Sequence, residues 1–99
     1  MSQQFEWDAR KATDNLKKHA VQFDEALTVF GDPLAQILDD PDHSADERRE
    51  IIIGHSKLQR VLVVGFTERD GKIRIINAGS ATARERQKYE KNTSKPQGH

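Results

Sequence analysis

The 99-residue sequence predicts an α+β domain with helices packed on an antiparallel sheet. Three observations lead there. Apolar residues recur at helical spacing between residues 9 and 30. They change to short runs rich in β-branched residues between 48 and 78. From 82 to 91 the pattern is helical again and strongly charged. Residues 1–91 are expected to form one domain, and "NTSKPQGH" (92–99) a polar, flexible tail.

The elements follow in order. "QFEWD" (4–8) reads as a short strand ending at Asp8, whose carboxylate suits the N-cap of a helix. The helix over 9–20 places Ala9, Ala12, Leu16 and Ala20 on one face. A second helix follows, with Phe23, Ala26, Leu27 and Phe30 on one side and Gly31 and Pro33 to stop it. "LAQILDD" (34–40) is a weak strand signal, and "PDHSADE" (41–47) a polar loop. Three stronger strands cover 48–56, 60–68 and 72–78. In the second of these, Val61, Val63 and Gly65 lie on one face and Leu62, Val64 and Phe66 on the other. Asp70-Gly71 is a tight-turn pair, so the last two strands form a hairpin, and the link 57–59 between the first two is also of hairpin length. In the closing helix (82–91), Thr82 and Glu85 have the spacing of a capping box. The prediction is a short N-terminal strand, two helices, an antiparallel sheet of three to four strands and a C-terminal helix. The helices cover one face of the sheet and leave the other free to bind.

Composition narrows the function. Apolar residues make up 34% and charged residues 32%, which implies a small core and a heavily solvated surface. There is no cysteine, hence neither a disulfide nor a thiolate metal site. No apolar run approaches membrane-spanning length, and "MSQQFEWDAR" has no signal-peptide core, so a cytoplasmic protein without a membrane partner is expected. The net charge is zero, but residues 1–50 carry 6 Lys/Arg against 12 Asp/Glu and residues 51–99 carry 10 against 4. That split suits one basic and one anionic partner, unless folding intermixes the halves.

Familiar motifs are missing. His19, His43, His55 and His99 include no pair at metal-ligand helical spacing, and the acidic stretch Asp39–Glu47 lacks the pattern of a calcium loop. No phosphate-binding glycine loop and no G-x-S-x-G elbow occur. No cofactor is expected. What remains is a set of cations. Lys17, Lys18 and His19 close the first helix, where they either offset the helix dipole or touch a phosphate. Arg60 opens one strand, and Arg74 stands mid-strand, facing opposite to Ile73 and Ile75. An arginine there meets an anion or pairs across the strand with an acid such as Glu68.

These residues sit in segments that resemble the BrnT family of type II toxins: "FEWDARKATDNLKKHAVQFDEALTVFGDP" (5–33), "DPDHSADERREIIIGHS" (40–56), "RVLVVGFTERDGKIRIINA" (60–78) and "ATARERQKYE" (81–90). The resemblance implies a RelE-like fold and a metal-independent endoribonuclease that cleaves RNA and inhibits translation. It implies a BrnA-like ribbon-helix-helix antitoxin in a 2:2 complex, bound through that antitoxin to operator DNA. Carried onto this chain, it makes His19 the acid or base, Arg60 and Arg74 the phosphate-stabilising cations, Glu68 a possible base and Lys18 a backbone contact. Arg84 and Arg86 give the last helix a basic surface for RNA, and Tyr89 either stacks on a nucleobase or packs in the core.

The chain departs from the family pattern in three places. Ala20 and Gln59 stand where the family usually has glycine. Ile76-Asn77-Ala78-Gly79 stands where it usually reads I-S-A-R, so Gly79 replaces an expected catalytic arginine, and this copy is expected to be attenuated. Two other functions compete: a non-catalytic module that binds its antitoxin and regulates the operon, and a ParE-like toxin directed at DNA gyrase.

Overall fold

A computed structural model describes residues 3–39 and 49–93. The polar loop 41–47 and the last six residues of the expected tail lie outside the described residues. Five strands, β1 (Phe5–Glu6), β2 (Gln36–Asp39), β3 (Glu50–His55), β4 (Val61–Arg69) and β5 (Lys72–Ser80), form one sheet in the order β1-β5-β4-β3-β2. The helices are α1 (Ala9–His19), α2 (Phe23–Ala26), continued by a 3₁₀ turn over Leu27–Gly31, and α3 (Ala83–Thr93). Among the described residues no helix is long and apolar enough to cross a membrane.

The count of three to four strands is corrected to five. The N-terminal strand joins the same sheet, pairing in parallel with β5 through Phe5 opposite Ile73 and Glu6 opposite Arg74. All other pairs are antiparallel. Asp70 and Gly71 both take positive φ (53° and 77°), the conformation that lets a two-residue turn match strand twist. A bulge between Gly65 and Phe66 shifts the register, so Gly65 faces Asn77 and Phe66 faces Ile75.

The predicted alternation along β4 divides two cores. Leu62, Val64 and Phe66 join Ile52, Ile73, Ile75 and Ala78 under Val21, Phe23, Ala26 and Val29. Val61, with Ile53, packs instead against Tyr89 of α3. The expectation of helices on one face only is therefore corrected: α3 covers part of the opposite face, because Tyr89 is the apolar anchor of an otherwise charged helix. The expected capping box is formed, with the Thr82 amide donating to Glu85 Oε1 (2.8 Å) and the Glu85 amide to Thr82 Oγ1 (3.1 Å).

The face of α1 also differs from the reading by periodicity. Leu16 is 42% exposed and Ala9 and Ala20 are exposed, whereas Asn15 is buried. The edge of β5 beyond β1 accounts for this. Asn15 Oδ1 accepts from the Ala78 amide (3.0 Å), and Asn15 Nδ2 donates to the Ala78 carbonyl (2.8 Å) and the Val21 carbonyl (3.0 Å). The carboxamide serves as a one-residue strand neighbour, satisfying backbone groups that would otherwise be buried unpaired.

Ala20 (φ 57°) ends α1 and Gln59 (φ 64°) closes the β3–β4 turn, both in the left-handed region. These are the two positions where glycine was expected. A side chain costs free energy in that conformation, so Ala20→Gly and Gln59→Gly should each stabilise the protein by about 1 kcal/mol. Thermal unfolding should rise by roughly 4–8 °C for each. Unchanged melting in both variants would show that the surrounding turns already absorb the strain.

Candidate active site

Docking α1 along the β5 edge brings the end of the helix to the end of the strand. A Cβ placed on Gly79 would have the His19 side chain as its nearest neighbour, with Nδ1 at 3.6 Å, Cγ at 3.7 Å and Cβ at 3.9 Å. Beside this contact runs a cleft of about 210 Å³ lined by Lys11, Asp14, Asn15, Lys18, His19, Ile76 and Asn77. Asn15 is occupied with Ala78. Among the described residues, the side chains of Lys11, Asp14, Lys18, His19 and Asn77 have no hydrogen-bond or ion-pair partner.

Arg60 sits at the same end of the sheet, and its surroundings hold it in one orientation. Its Nε donates to Glu25 Oε2 (2.9 Å), and its Nη2 donates to Glu25 Oε1 and to the Ala20 carbonyl (3.2 Å), one residue past His19. Ser56 Oγ donates to the same carboxylate (2.6 Å). Glu25 is 4% exposed, yet its carboxyl is held below the usual range by the bond from Arg60, which outweighs burial, with Ser56 adding to it. The Glu25 carboxylate in turn raises Arg60. This bidentate pair ties α2 to the β3–β4 hairpin and leaves the guanidinium partly exposed, with Nη1 unpartnered among the described residues.

The sheet separates other candidates from this end. Arg74 pairs with Glu6 of β1 (3.3 Å), not with Glu68, which stands opposite Ile73. Gly79 lies five residue steps along β5 from Arg74, about 17 Å at a usual strand rise. Arg84 and Arg86 are exposed on α3, and Arg86 lies 4.0 Å from Glu90.

Tyr89 is 2% exposed. Its hydroxyl donates to Asp32 Oδ2 (2.5 Å) and lies 2.8 Å from His55 Nδ1. Asp32 Oδ2 also accepts from the His55 amide (2.8 Å), closing the β3 edge much as Asn15 closes that of β5. Gly54 makes room: a Cβ there would come within 2.9 Å of both Asp32 Oδ2 and Ala35. Burial and the Asp32 carboxylate push the Tyr89 hydroxyl well above its ordinary value. Burial works to raise Asp32, but the bonds from Tyr89, His55 and Leu34 outweigh it and hold it low.

His19, Lys18, Arg60 and Gly79 are thus gathered at one end of the sheet, and Glu68 and Arg74 are not among them. Sequence reasoning missed Lys11, Asp14 and Asn77 in the cleft, and Glu25 behind Arg60. The helical spacing of Lys11, Asp14 and Lys18 was a usable signal. Nothing in the spacing of Glu25 and Arg60, 35 residues apart, pointed to their pairing.

Comparison with known proteins bears on the fold and the family. In structure the chain is similar to the ribonuclease toxin BrnT of Brucella abortus, with a TM-score of 0.63 and 19% identity, covering 82% of this chain and 99% of that one. At that identity the likeness speaks for the fold. No curated protein sequence matches. The family described as the ribonuclease toxin BrnT of type II toxin-antitoxin systems matches residues 7–85. That span runs from just after β1 to the first turn of α3 and holds every residue of the cleft, so the chain belongs to the BrnT family of ribonuclease toxins of type II toxin-antitoxin systems.

Proposed function

We propose that this chain is an endoribonuclease that needs no metal, that it slows translation by cutting RNA, and that its reacting centre lies between His19, Gly79 and Arg60. The observation that carries the reading is the His19 imidazole, unpaired among the described residues, against Gly79 at the head of a cleft with two unpaired lysines. In this reading the RNA 2′-oxygen attacks phosphorus and the 5′-oxygen leaves, giving a 2′,3′-cyclic phosphate. His19 exchanges the proton that one of these oxygens loses or gains. Arg60, aimed by Glu25, offers Nη1 to the phosphoryl oxygens, and Lys18 holds the adjoining backbone. Arg84 and Arg86 extend the basic path along α3, and Tyr89 fixes that helix. Glu68 and Arg74 stand outside the reacting centre.

Gly79 leaves the place beside His19 without a cation, and the activity of this copy is attenuated accordingly. The fold is of the RelE-like kind. Its partner is a BrnA-like ribbon-helix-helix antitoxin, two copies to two toxins, which carries the complex to operator DNA in the cytoplasm. The test is cleavage of a defined RNA by the purified chain beside His19→Gln. Loss of about a hundredfold or more in kcat with little change in KM is expected. Equal cleavage by both proteins would remove His19 from the chemistry, and no cleavage by either would favour the antitoxin-binding module.

A further inference from the structure

The cleft between α1 and β5 contains a group that does not suit a phosphate backbone. Asp14 stands between Lys11 and Lys18 on one helix face, and it makes no ion pair with either. A carboxylate in a groove built only for phosphates weakens binding by like-charge repulsion. The same carboxylate is an asset if what enters presents N–H donors. Across the cleft, Ile76 offers a partly buried apolar surface, and the exposed Asn77 offers an amide that can donate and accept. A volume of about 210 Å³ admits one nucleobase, and His19 lines the same cleft.

We propose that this cleft is a guanine subsite for the nucleotide adjoining the cut. The inference rests on the ribonuclease reading above. Among the four bases, only guanine sets two adjacent donors, N1–H and the exocyclic amine, on its pairing edge, and a carboxylate accepts both at once. Asn77 Nδ2 donates to O6, Ile76 meets the ring face, and Lys11 and Lys18 take the flanking phosphates. Single-stranded RNA is the form that can deliver such a base, because its pairing edge is free.

The experiment measures binding of 2′-O-methyl RNA hexamers, which cannot be cut, each carrying one guanine, inosine, adenine or uracil in an otherwise constant sequence. Guanine should bind about tenfold tighter than adenine or uracil, with inosine in between because it keeps N1–H and lacks the amine. Asp14→Asn should collapse the preference and tighten the adenine hexamer, and Asn77→Ala should lessen discrimination by O6. Both positions are exposed, so the variants should fold. Equal binding of all four hexamers, or an unchanged preference in Asp14→Asn, overturns the subsite, as does a failure of every hexamer to bind. Parallel assays on cleavable RNA separate the two claims. Cutting without base preference leaves the ribonuclease reading and removes the subsite. Guanine-selective binding without cutting leaves the subsite and removes the catalysis.

Discussion

Gly79→Arg is expected to raise RNA cleavage about a hundredfold, the scale by which a positioned charge stabilises a transition state. A Cβ at this position is tolerated, since its nearest neighbours would be His19 side-chain atoms at the ordinary contact distance of 3.6 Å or more. Gly79 lies in a regular strand opposite Val63, so adding a side chain there should not cost stability and should improve strand propensity. The arginine would enter beside the imidazole and within the same end of the sheet as Arg60. Growth inhibition on induced expression and single-turnover cleavage should rise together. A folded Gly79→Arg protein with no gain in either would show that this position does not act in the chemistry.

Arg60→Ala should destabilise the fold by about 3 kcal/mol, at the lower end for a broken buried pair because the Arg60 side chain is 39% exposed. The larger part of that cost is Glu25, left as a carboxylate at 5% side-chain exposure with only Ser56 to satisfy it. For a chain of this length the loss corresponds to at least about 12 °C in thermal unfolding. The acid dependence carries the sign of the effect. Because the folded protein holds Glu25 and Asp32 below their ordinary values, the unfolded chain takes up protons first as pH falls. Stability from these groups is complete above the ordinary carboxylate range and is lost as pH drops from about 4.5 through their folded values. In Arg60→Ala the Glu25 share of that acid sensitivity should disappear. Urea unfolding at pH 7 and pH 4 measures both effects. An Arg60→Ala protein as stable as the parent at both would remove the pair from the account of the fold.

The elements set by local chemistry were legible in the sequence. Asp70-Gly71 announced its hairpin because few pairs of residues accept two positive φ values in succession. The two faces of β4 and the Thr82–Glu85 cap likewise follow from alternation and spacing alone. Features set by sheet edges were not legible. Asn15 reads as a polar interruption of an apolar stripe, and only the unpaired Ala78 backbone explains its burial. Asp32 before Pro33 reads as part of a helix stop, while in the fold it closes β3 and receives Tyr89. Arg74 signalled an anion in mid-strand, and the partner is Glu6, on a strand whose place beside β5 could not be read from two residues. For the site, cations predicted from one helix end and one strand start do converge, whereas strand direction carries Glu68 and Arg74 to the opposite end.

In the mechanism proposed above, His19, Arg60 and the cleft between α1 and β5 cut RNA through its own 2′-hydroxyl. The most direct measurement incubates the purified chain, free of antitoxin, with a defined single-stranded RNA in EDTA, beside the same RNA carrying one 2′-deoxy nucleotide at the cut. The expected result is slow cleavage that survives EDTA, leaves a 2′,3′-cyclic phosphate, and stops at the 2′-deoxy position. Cleavage that continues past the 2′-deoxy substitution, or that EDTA abolishes, would contradict the mechanism.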